Sequence, residues 1–325
     1  MDIEHPIVLA PMAGGPATVA LARAVSDAGG LGFLAAGYRG PEAMREEIRE
    51  LRGRPFGVNL FVPGPSDVSA DLVAGYVRSL GPGAGEPRWD DDGWRQKLDV
   101  LRDEEPVPVV SFTFGCPPLC EVASLRAHGS EVWVTVTSVD EARAARDAGA
   151  DALVVQGSEA GGHQGSWVDE DRSRLTTLEL LPAITAAVDI PLVATGGIAD
   201  AAGVAAALEA GAAAVQAGTA FLLAPEAGTH PAHREAIASG APTAFTRSFT
   251  GRLARGIVNR FMEEHPTAPI AYPHIHYATA PLRAAARESG DGGGFNLWAG
   301  ETHALAVARP AAETVRALGA RGQLS

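Results

Sequence analysis

Residues 151–165 read DALVVQGSEAGGHQG, and they indicate the fold of the whole chain. The segment 151–155 is largely apolar and β-branched, which is typical of a buried strand. The strand breaks into a loop with four glycines, whose backbone can approach a flat ligand closely. His163 stands in this loop, at the carboxyl end of the strand. That is where an α/β enzyme places an acid–base group over a cofactor.

Short apolar runs of this kind recur along the chain, each bounded by glycine, proline or a polar turn. The eight runs are residues 7–14, 31–37, 56–62, 107–115, 131–138, 151–157, 190–198 and 213–221. Amphipathic segments between them, such as 17–30, 41–52 and 138–150, predict helices. Strict alternation of this kind is typical of a (β/α)8 TIM barrel or of an open, doubly wound sheet. We favour the barrel, because the informative residues lie at the ends of many strands.

Two segments interrupt the alternation and predict additions to the barrel. Residues 63–105 follow the third strand, are rich in proline, glycine and acidic residues, and predict a surface insertion with one or two helices. Residues 226–300 predict a small, mostly helical subdomain or lid, and 304–319 the closing barrel helix. The barrel is therefore expected to comprise residues 1–225 and 301–325.

Composition excludes several classes of partner. The 325 residues carry a formal net charge of −13, which argues against binding nucleic acid. No stretch reaches the roughly 18 uninterrupted apolar residues of a membrane span. Without a basic and apolar leader, a location in the cytoplasm is the default expectation. The oligomeric state is left open, with a homodimer as one option.

The last two predicted strands each end in a glycine turn that precedes a helical segment. The turns are Gly196-Gly197 in VATGGIA and Gly218-Thr219 in VQAGTAF. In barrels, the loops at these positions bind phosphate through free backbone N–H groups, and Thr219 adds a hydroxyl donor. The chain has no GxxxxGK[ST] motif, so a nucleoside triphosphate with magnesium is not expected.

Amide side chains are predicted at the ends of three strands, the last strand among them. They are Asn59, Gln156 and Gln216, and a buried amide needs a hydrogen-bond partner. For Asn59, a ligand ring edge and the backbone of a neighbouring strand both qualify. Convergence of the three amides favours a ligand with donors and acceptors, such as a flavin. Met12, in APMAGG after the first strand, would face that ligand or pack in the core.

Histidines and arginines elsewhere in the chain carry weaker signals. A lone histidine in a glycine loop is often on the surface, but His163 beside a phosphate-anchored heterocycle is predicted to be catalytic. His274 and His276 have the spacing of metal ligands, yet nothing completes a set, so we predict surface or structural residues and no metal site. The arginines of RSFTGRLARGIVNRF are expected to pair with acidic surface residues.

The motifs together resemble the FMN-dependent nitronate monooxygenases. They run in the same order between residues 8 and 301: APMAGG, VNLF, SFTFG, QGSEAGGHQG, ATGGI, VQAGTAF, GRLARGIVN and NLWAGE. The resemblance implies a TIM barrel with an inserted helical subdomain and one non-covalent FMN. It also implies that a nitronate and O2 react to give a carbonyl compound and nitrite.

The resemblance assigns roles position by position. Around the flavin ring it places Pro11, Met12, Ala13, Asn59, Gln156, Gly161 and Gly162. At the phosphate it places Gly196, Gly197, Gln216, Ala217, Gly218 and Thr219. His163 would be the catalytic base. Thr113 and Thr135 depart from relatives that carry histidine and lysine there, which bears on substrate choice.

Three other functions share parts of this pattern. The FMN- and NADH-dependent enoyl-acyl carrier protein reductases have a similar EAGGH loop and WAG segment. NADH oxidation coupled to a quinone is a further activity of similar folds. The alternative of a different class is a non-catalytic flavin-binding protein.

Overall fold

The computed structural model describes residues 3–170 and 174–320, and within them the chain forms eleven strands and twelve α-helices. The strands are β1 (Ile7–Leu9), β2 (Gly32–Ala35), β3 (Phe56–Phe61), β4 (Val109–Thr113), β5 (Glu131–Val136), β6 (Ala152–Gln156), β7 (Gly162–His163), β8 (Leu192–Thr195), β9 (Ala214–Ala217), β10 (Thr243–Thr246) and β11 (Ala254–Ile257). The helices are α1 (Val19–Asp27), α2 (Pro41–Glu50), α3 (Ala70–Leu80), α4 (Trp94–Asp103), α5 (Leu119–His128), α6 (Val139–Asp147), α7 (Thr177–Thr185), α8 (Ala201–Glu209), α9 (Pro231–Ser239), α10 (Arg260–Glu264), α11 (His274–Ser289) and α12 (Ala311–Gly319).

Eight of the strands form a parallel barrel. Their order is β1-β9-β8-β6-β5-β4-β3-β2, and all neighbours run parallel. A bridge between Val8 and Leu31 joins the two end strands and completes the ring. Each of the eight predicted runs contains one of these strands, so the predicted TIM barrel is confirmed. The open sheet is excluded.

Polar side chains lie at one level near the carboxyl end of the barrel. Gln156 pairs with Thr195 on the next strand, and Thr195 pairs with Gln216 on the one after. On the other side of the ring Asn59 pairs with Ser111. Below this level the strands are buried on both faces and consist of continuous apolar runs, as expected for parallel strands. The sequence thus builds an apolar cylinder that ends in a ring of hydrogen-bonding groups.

The insertion after β3 contains two helices, α3 and α4, in agreement with the prediction. A short network ties it to the loop after β2. Asp92 accepts a hydrogen bond from the backbone N–H of Tyr38 at 3.0 Å and forms a 2.7 Å ion pair with the buried Lys97. Tyr38 has a φ of 64°, which is unfavourable for a residue with a side chain. This network therefore stabilises a strained turn at the carboxyl end of the barrel.

The segment before α12 contains helices α9, α10 and α11, and also a small sheet that the sequence pattern did not predict. Strand β11 lies between β10 and β7 and pairs with both in the antiparallel sense. Because β7 is Gly162–His163, the glycine loop of the barrel is itself an edge of this sheet. Ala254 is the partner of His163, which fixes the position of that residue's backbone.

The closing helix predicted over 304–319 begins later in the structure than the sequence pattern indicated. Residues His303–Leu305 form a separate 3-10 turn, and α12 begins at Ala311. Pro310 occupies the N-cap with an extended ψ of 144°. Proline has no backbone N–H to donate within a helix and disfavours helical geometry in the residue before it. The helix therefore begins after the proline.

No helix in residues 3–170 and 174–320 combines the length and the hydropathy that crossing a bilayer demands. Over the same residues, no group of three His, Cys, Asp or Glu side chains is placed to hold a metal ion.

Candidate active site

A cavity of about 380 Å³ lies at the carboxyl end of the barrel, beneath the helices and strands of residues 226–300. Its volume lies in the range of small-molecule and cofactor sites. All fourteen site residues named from the sequence line this one cavity. They are Pro11, Met12, Ala13, Asn59, Gln156, Gly161, Gly162, His163, Gly196, Gly197, Gln216, Ala217, Gly218 and Thr219. The structure therefore brings the whole predicted set together.

One end of the cavity has the features of an anion site. In the part of the chain that the structure describes, the backbone N–H groups of Gly197 and Thr219 have no hydrogen-bond acceptor. The Oγ1 atom of Thr219 accepts a hydrogen bond from the Gly300 N–H at 3.0 Å, so its own hydrogen is free for a ligand. Gly197 has a φ of 68°, a conformation that glycine adopts without strain. Free donors of this kind, with Thr219 at the start of a 3-10 turn, suit a phosphate.

The side-chain amides of Asn59 and Gln216 differ in the hydrogen-bonding groups that they leave for a ligand. Both hydrogens of the Asn59 amide are donated, to Ser111 Oγ at 2.9 Å and to Thr113 Oγ1 at 3.0 Å. Its partners are thus side chains of a neighbouring strand, and its Oδ1 remains an acceptor. Gln216 is 5% exposed, and among the described residues its side chain has no hydrogen-bond partner. The amide of Gln216 is not sealed from the cavity that it lines, so a ligand there would supply its hydrogen-bond partner.

Gln156 has a different environment from the one implied by the resemblance. Its Oε1 accepts the Gly165 N–H at 2.6 Å, and its Nε2 donates to the His163 carbonyl oxygen at 3.2 Å. Both ends of the amide thus hold the glycine loop. Its predicted bond to the flavin remains a prediction, while its bond to the loop is a feature of the structure.

The adjacent glycines of this loop serve different purposes. A Cβ on Gly161 would lie 2.4 Å from the carbonyl carbon of Ala299 and 2.5 Å from the nitrogen of Gly300. Gly161 is therefore needed for close packing against the segment that also bonds Thr219. A Cβ on Gly162 would meet no protein atom within 4 Å, although its φ of 76° suits glycine. Gly162 thus faces open space in the cavity.

His163 lies under aromatic side chains at the other end of the cavity. The rings of Phe114, Tyr272 and Trp298 lie 5.7, 5.8 and 5.7 Å from its imidazole, centroid to centroid. Desolvation by this packing, with smaller effects of Arg252 and Arg283, lowers the pKa of His163 to about 3. The imidazole is therefore neutral at physiological pH.

Thr250 orients the imidazole. Its Oγ1 lies 2.9 Å from Nε2 of His163 and donates to the Arg252 carbonyl oxygen at 3.2 Å. A hydroxyl has one hydrogen, so both bonds form together when Nε2 carries the imidazole hydrogen. We assign this tautomer, in which Nδ1 has the lone pair that accepts a proton.

Sequence reasoning did not place Tyr38, His276 or Arg283 at the cavity, which all three line. Tyr38 stacks on His276 at 4.1 Å between ring centroids, and its hydroxyl accepts a hydrogen bond from that of Tyr272 at 3.1 Å. Burial lowers the pKa of His276 to about 2. The stacking of His276 on Tyr38 fits the structural role predicted for it, but its position at the cavity was not predicted. The glycines on both sides of Tyr38 were the available signal for a special turn.

Positive charge predominates in the cavity, although the chain as a whole is acidic. Among its described lining residues, Arg283 and Arg287 carry charge and none is Asp or Glu. The four arginines singled out from the sequence lie elsewhere. Three are paired with carboxylates, namely Arg247 with Asp169, Arg255 with Glu301 and Arg260 with Asp291, although the Arg247–Asp169 pair is largely buried and not on the surface as predicted. Arg252 instead stacks on the Phe114 ring at 3.9 Å and donates to the Ser166 carbonyl oxygen.

The packing of Gly161 yields a first prediction. Replacement by alanine, Gly161→Ala, is expected to displace Ala299 and Gly300, break the bond to Thr219, and destabilise the fold by about 1–3 kcal/mol. Thermal unfolding and uptake of FMN, the cofactor that the resemblance implies, are the measurements. Gly64→Ala is the control, because its Cβ would meet nothing within 4 Å. Equal behaviour of the two variants would contradict the packing role.

Comparisons with known proteins agree with these features. The family described as nitronate monooxygenase matches residues 1–320. The nitronate monooxygenase of Pseudomonas aeruginosa is 41% identical over 339 residues, which cover 98% of this chain and 96% of that protein. The nitroalkane oxidase structure from Streptomyces ansochromogenes has 48% identity and a TM-score of 0.95, covering 98% of this chain and 96% of that one. FabK from Thermotoga maritima is more distant, with 30% identity, a TM-score of 0.77 and coverage of 97% and 92%. The chain therefore belongs to the nitronate monooxygenase family, as its motifs predicted.

Proposed function

We propose that this chain binds FMN and oxidises alkyl nitronates with O2, giving carbonyl compounds and nitrite. Family membership confirms the predicted enzyme class, a flavin-dependent monooxygenase. The observation that carries the proposal is a single cavity lined both by free backbone donors that suit a phosphate and by a neutral imidazole. A flavin mononucleotide has the same two parts, a phosphate and a flat ring.

The described residues fit FMN without rearrangement of their hydrogen bonds. Gly197 and Thr219 would bind the phosphate through the N–H groups that lack acceptors. The Oδ1 of Asn59 would bond to the ring edge, where a flavin has donors and acceptors. The amide of Gln216, which the resemblance places at the phosphate, would supply a further hydrogen bond to the cofactor. The open space beside Gly162 would admit the ring. The chemistry that bound FMN supplies is electron transfer from the nitronate and on to oxygen.

The protein's own part is to bind the substrate, to exclude water and to manage one proton. Phe114, Tyr272 and Trp298 pack around His163 and provide an apolar surface for an alkyl group. A neutral imidazole accepts a proton from a neutral nitroalkane, but a pKa of about 3 makes it a weak base. A preformed nitronate needs no such step. The low basicity of His163 therefore favours nitronates over nitroalkanes.

Reconstitution with FMN tests the proposal. Purified protein, loaded with FMN and mixed without oxygen with ethyl nitronate, is expected to show a changed flavin spectrum. In air, oxygen uptake and nitrite should follow, and protein without FMN should produce neither. Failure to take up FMN would overturn the proposal.

Mixing the FMN-loaded protein with NADH separates the alternative functions. Bleaching of the flavin by NADH, followed by re-oxidation with a crotonyl substrate, would assign an enoyl reductase. Re-oxidation by a quinone would assign an NADH:quinone reductase. A yellow protein inert to nitronate and NADH would be a flavin-binding protein without catalysis.

Removal of the imidazole gives a second prediction. His163→Asn is expected to keep FMN, because no bond from this side chain reaches the phosphate donors. Turnover of neutral nitroethane should fall by about 10²–10⁴, the contribution of a general base. Turnover of ethyl nitronate should fall much less, since the proton is already gone. Equal losses on the two substrates would remove proton transfer from the role of His163.

Thr250 provides a third prediction. Thr250→Val removes the hydroxyl that orients the imidazole but keeps the shape of the side chain. Turnover of nitroethane should fall by about three- to tenfold, the effect of one hydrogen bond. Thr250→Ser restores the hydroxyl and should restore the rate. Unchanged turnover in the valine variant would show that the imidazole is oriented without Thr250.

A homodimer and a location in the cytoplasm remain predictions from the sequence. Size-exclusion chromatography with light scattering measures the first. Fractionation of the producing cells measures the second.

A further inference from the structure

Arg283 is a buried cation without a counter-ion. It is 6% exposed, and its guanidinium donates to Thr279 Oγ1 at 3.0 Å and to the His276 carbonyl oxygen at 2.8 Å. No carboxylate of residues 3–170 and 174–320 lies within 4.0 Å of its nitrogens. A buried charge is normally paired, because desolvation is otherwise costly. The missing partner therefore calls for an explanation.

The guanidinium of Arg283 is held rigidly and has donor capacity left. Nε is engaged by Thr279, and Nη2 by the carbonyl oxygen and Nδ1 of His276, the latter at 3.3 Å. Nη1 makes one long bond of 3.4 Å, to Asn296 Oδ1, which leaves it a hydrogen for a ligand. Since Arg283 lines the cavity, that ligand would come from the cavity.

We propose that Arg283 binds the negatively charged nitro group of the nitronate and so positions the substrate beside His163. This inference rests on the proposed function. A nitronate carries its charge on two oxygens bonded to one nitrogen, a planar group that resembles a carboxylate. Guanidinium forms charge-assisted hydrogen bonds to such groups, about twice as strong as neutral ones.

The other candidates for this role lie less favourably. His163 is neutral, so it offers no positive charge to the substrate. Arg252 is buried behind the Phe114 ring and does not line the cavity. Arg287 lines it but stacks on Phe295 and donates to Asn296 Oδ1 at 3.0 Å. Of the two lining arginines, Arg283 is the one whose charge acts on the imidazole.

The test compares holoenzyme variants on a charged and a neutral substrate with the same carbon skeleton. Arg283→Gln is expected to raise KM for ethyl nitronate by about ten- to hundredfold, the effect of one charged hydrogen bond. KM for nitroethane should change much less. Arg287→Gln is the matched control, because Arg287 lies on the same helix and also donates to Asn296 Oδ1. It should raise KM for the nitronate less than Arg283→Gln does. Arg283→Lys retains the charge and should recover part of the affinity.

Nitrate separates failure of this inference from failure of the proposed function. It is a planar, unreactive anion, and its Kd is measured by perturbation of the flavin absorbance, without turnover. If wild-type holoenzyme binds nitrate through Arg283 yet does not oxidise nitronate, the proposed function fails and the anion site stands. Equal increases in KM for both substrates, or unchanged nitrate affinity in Arg283→Gln, would overturn the inference. Should Arg283→Gln not fold or bind FMN, the lysine and Arg287 variants decide by the same two measurements.

Discussion

The pairing of β7 with β11 is the interaction on which the site depends. It joins two residues of a barrel loop, Gly162 and His163, to a sheet built from residues 243–257. The loop is also held from the barrel by both ends of the Gln156 amide. Backbone groups inside a protein must be paired, and here two different parts of the fold pair them. The imidazole therefore occupies a position that neither the barrel nor the following segment sets by itself.

The same loop connects the two ends of the cavity. Close contact of Gly161 with Ala299 and Gly300 brings the latter's N–H onto Thr219, at the phosphate end. At the substrate end, His163 packs against Trp298, which lies just before those residues. The segment 298–300 therefore contacts both the phosphate site and the substrate site. This arrangement suits a cofactor that spans the cavity.

The barrel was predictable from the sequence because its strands carry a local signal. A parallel strand buried on both faces is a continuous apolar run, and polar residues at its carboxyl end are brought together by the barrel closure alone. Strand β7 has no such signal, since it comprises two residues and pairs with a strand about 90 positions away. Tyr38, His276 and Arg283 were missed for a similar reason. Their roles depend on how α11 lies over the barrel, although the spacing of Arg283 and Arg287 places them on one helix face.

In this cavity Arg283 supplies the positive charge and His163 accepts the proton. This division of roles between two side chains affects the choice of substrate. The positive charge of Arg283 helps to keep His163 neutral, after the larger effect of burial. An anion paired with Arg283 would weaken this repulsion, because its charge offsets that of the guanidinium. The pKa of His163 would then rise while the substrate is bound. A nitronate thus meets a cation that binds it and needs no proton acceptor, whereas a neutral nitroalkane must lose a proton to an imidazole that burial and the charge of Arg283 keep weakly basic.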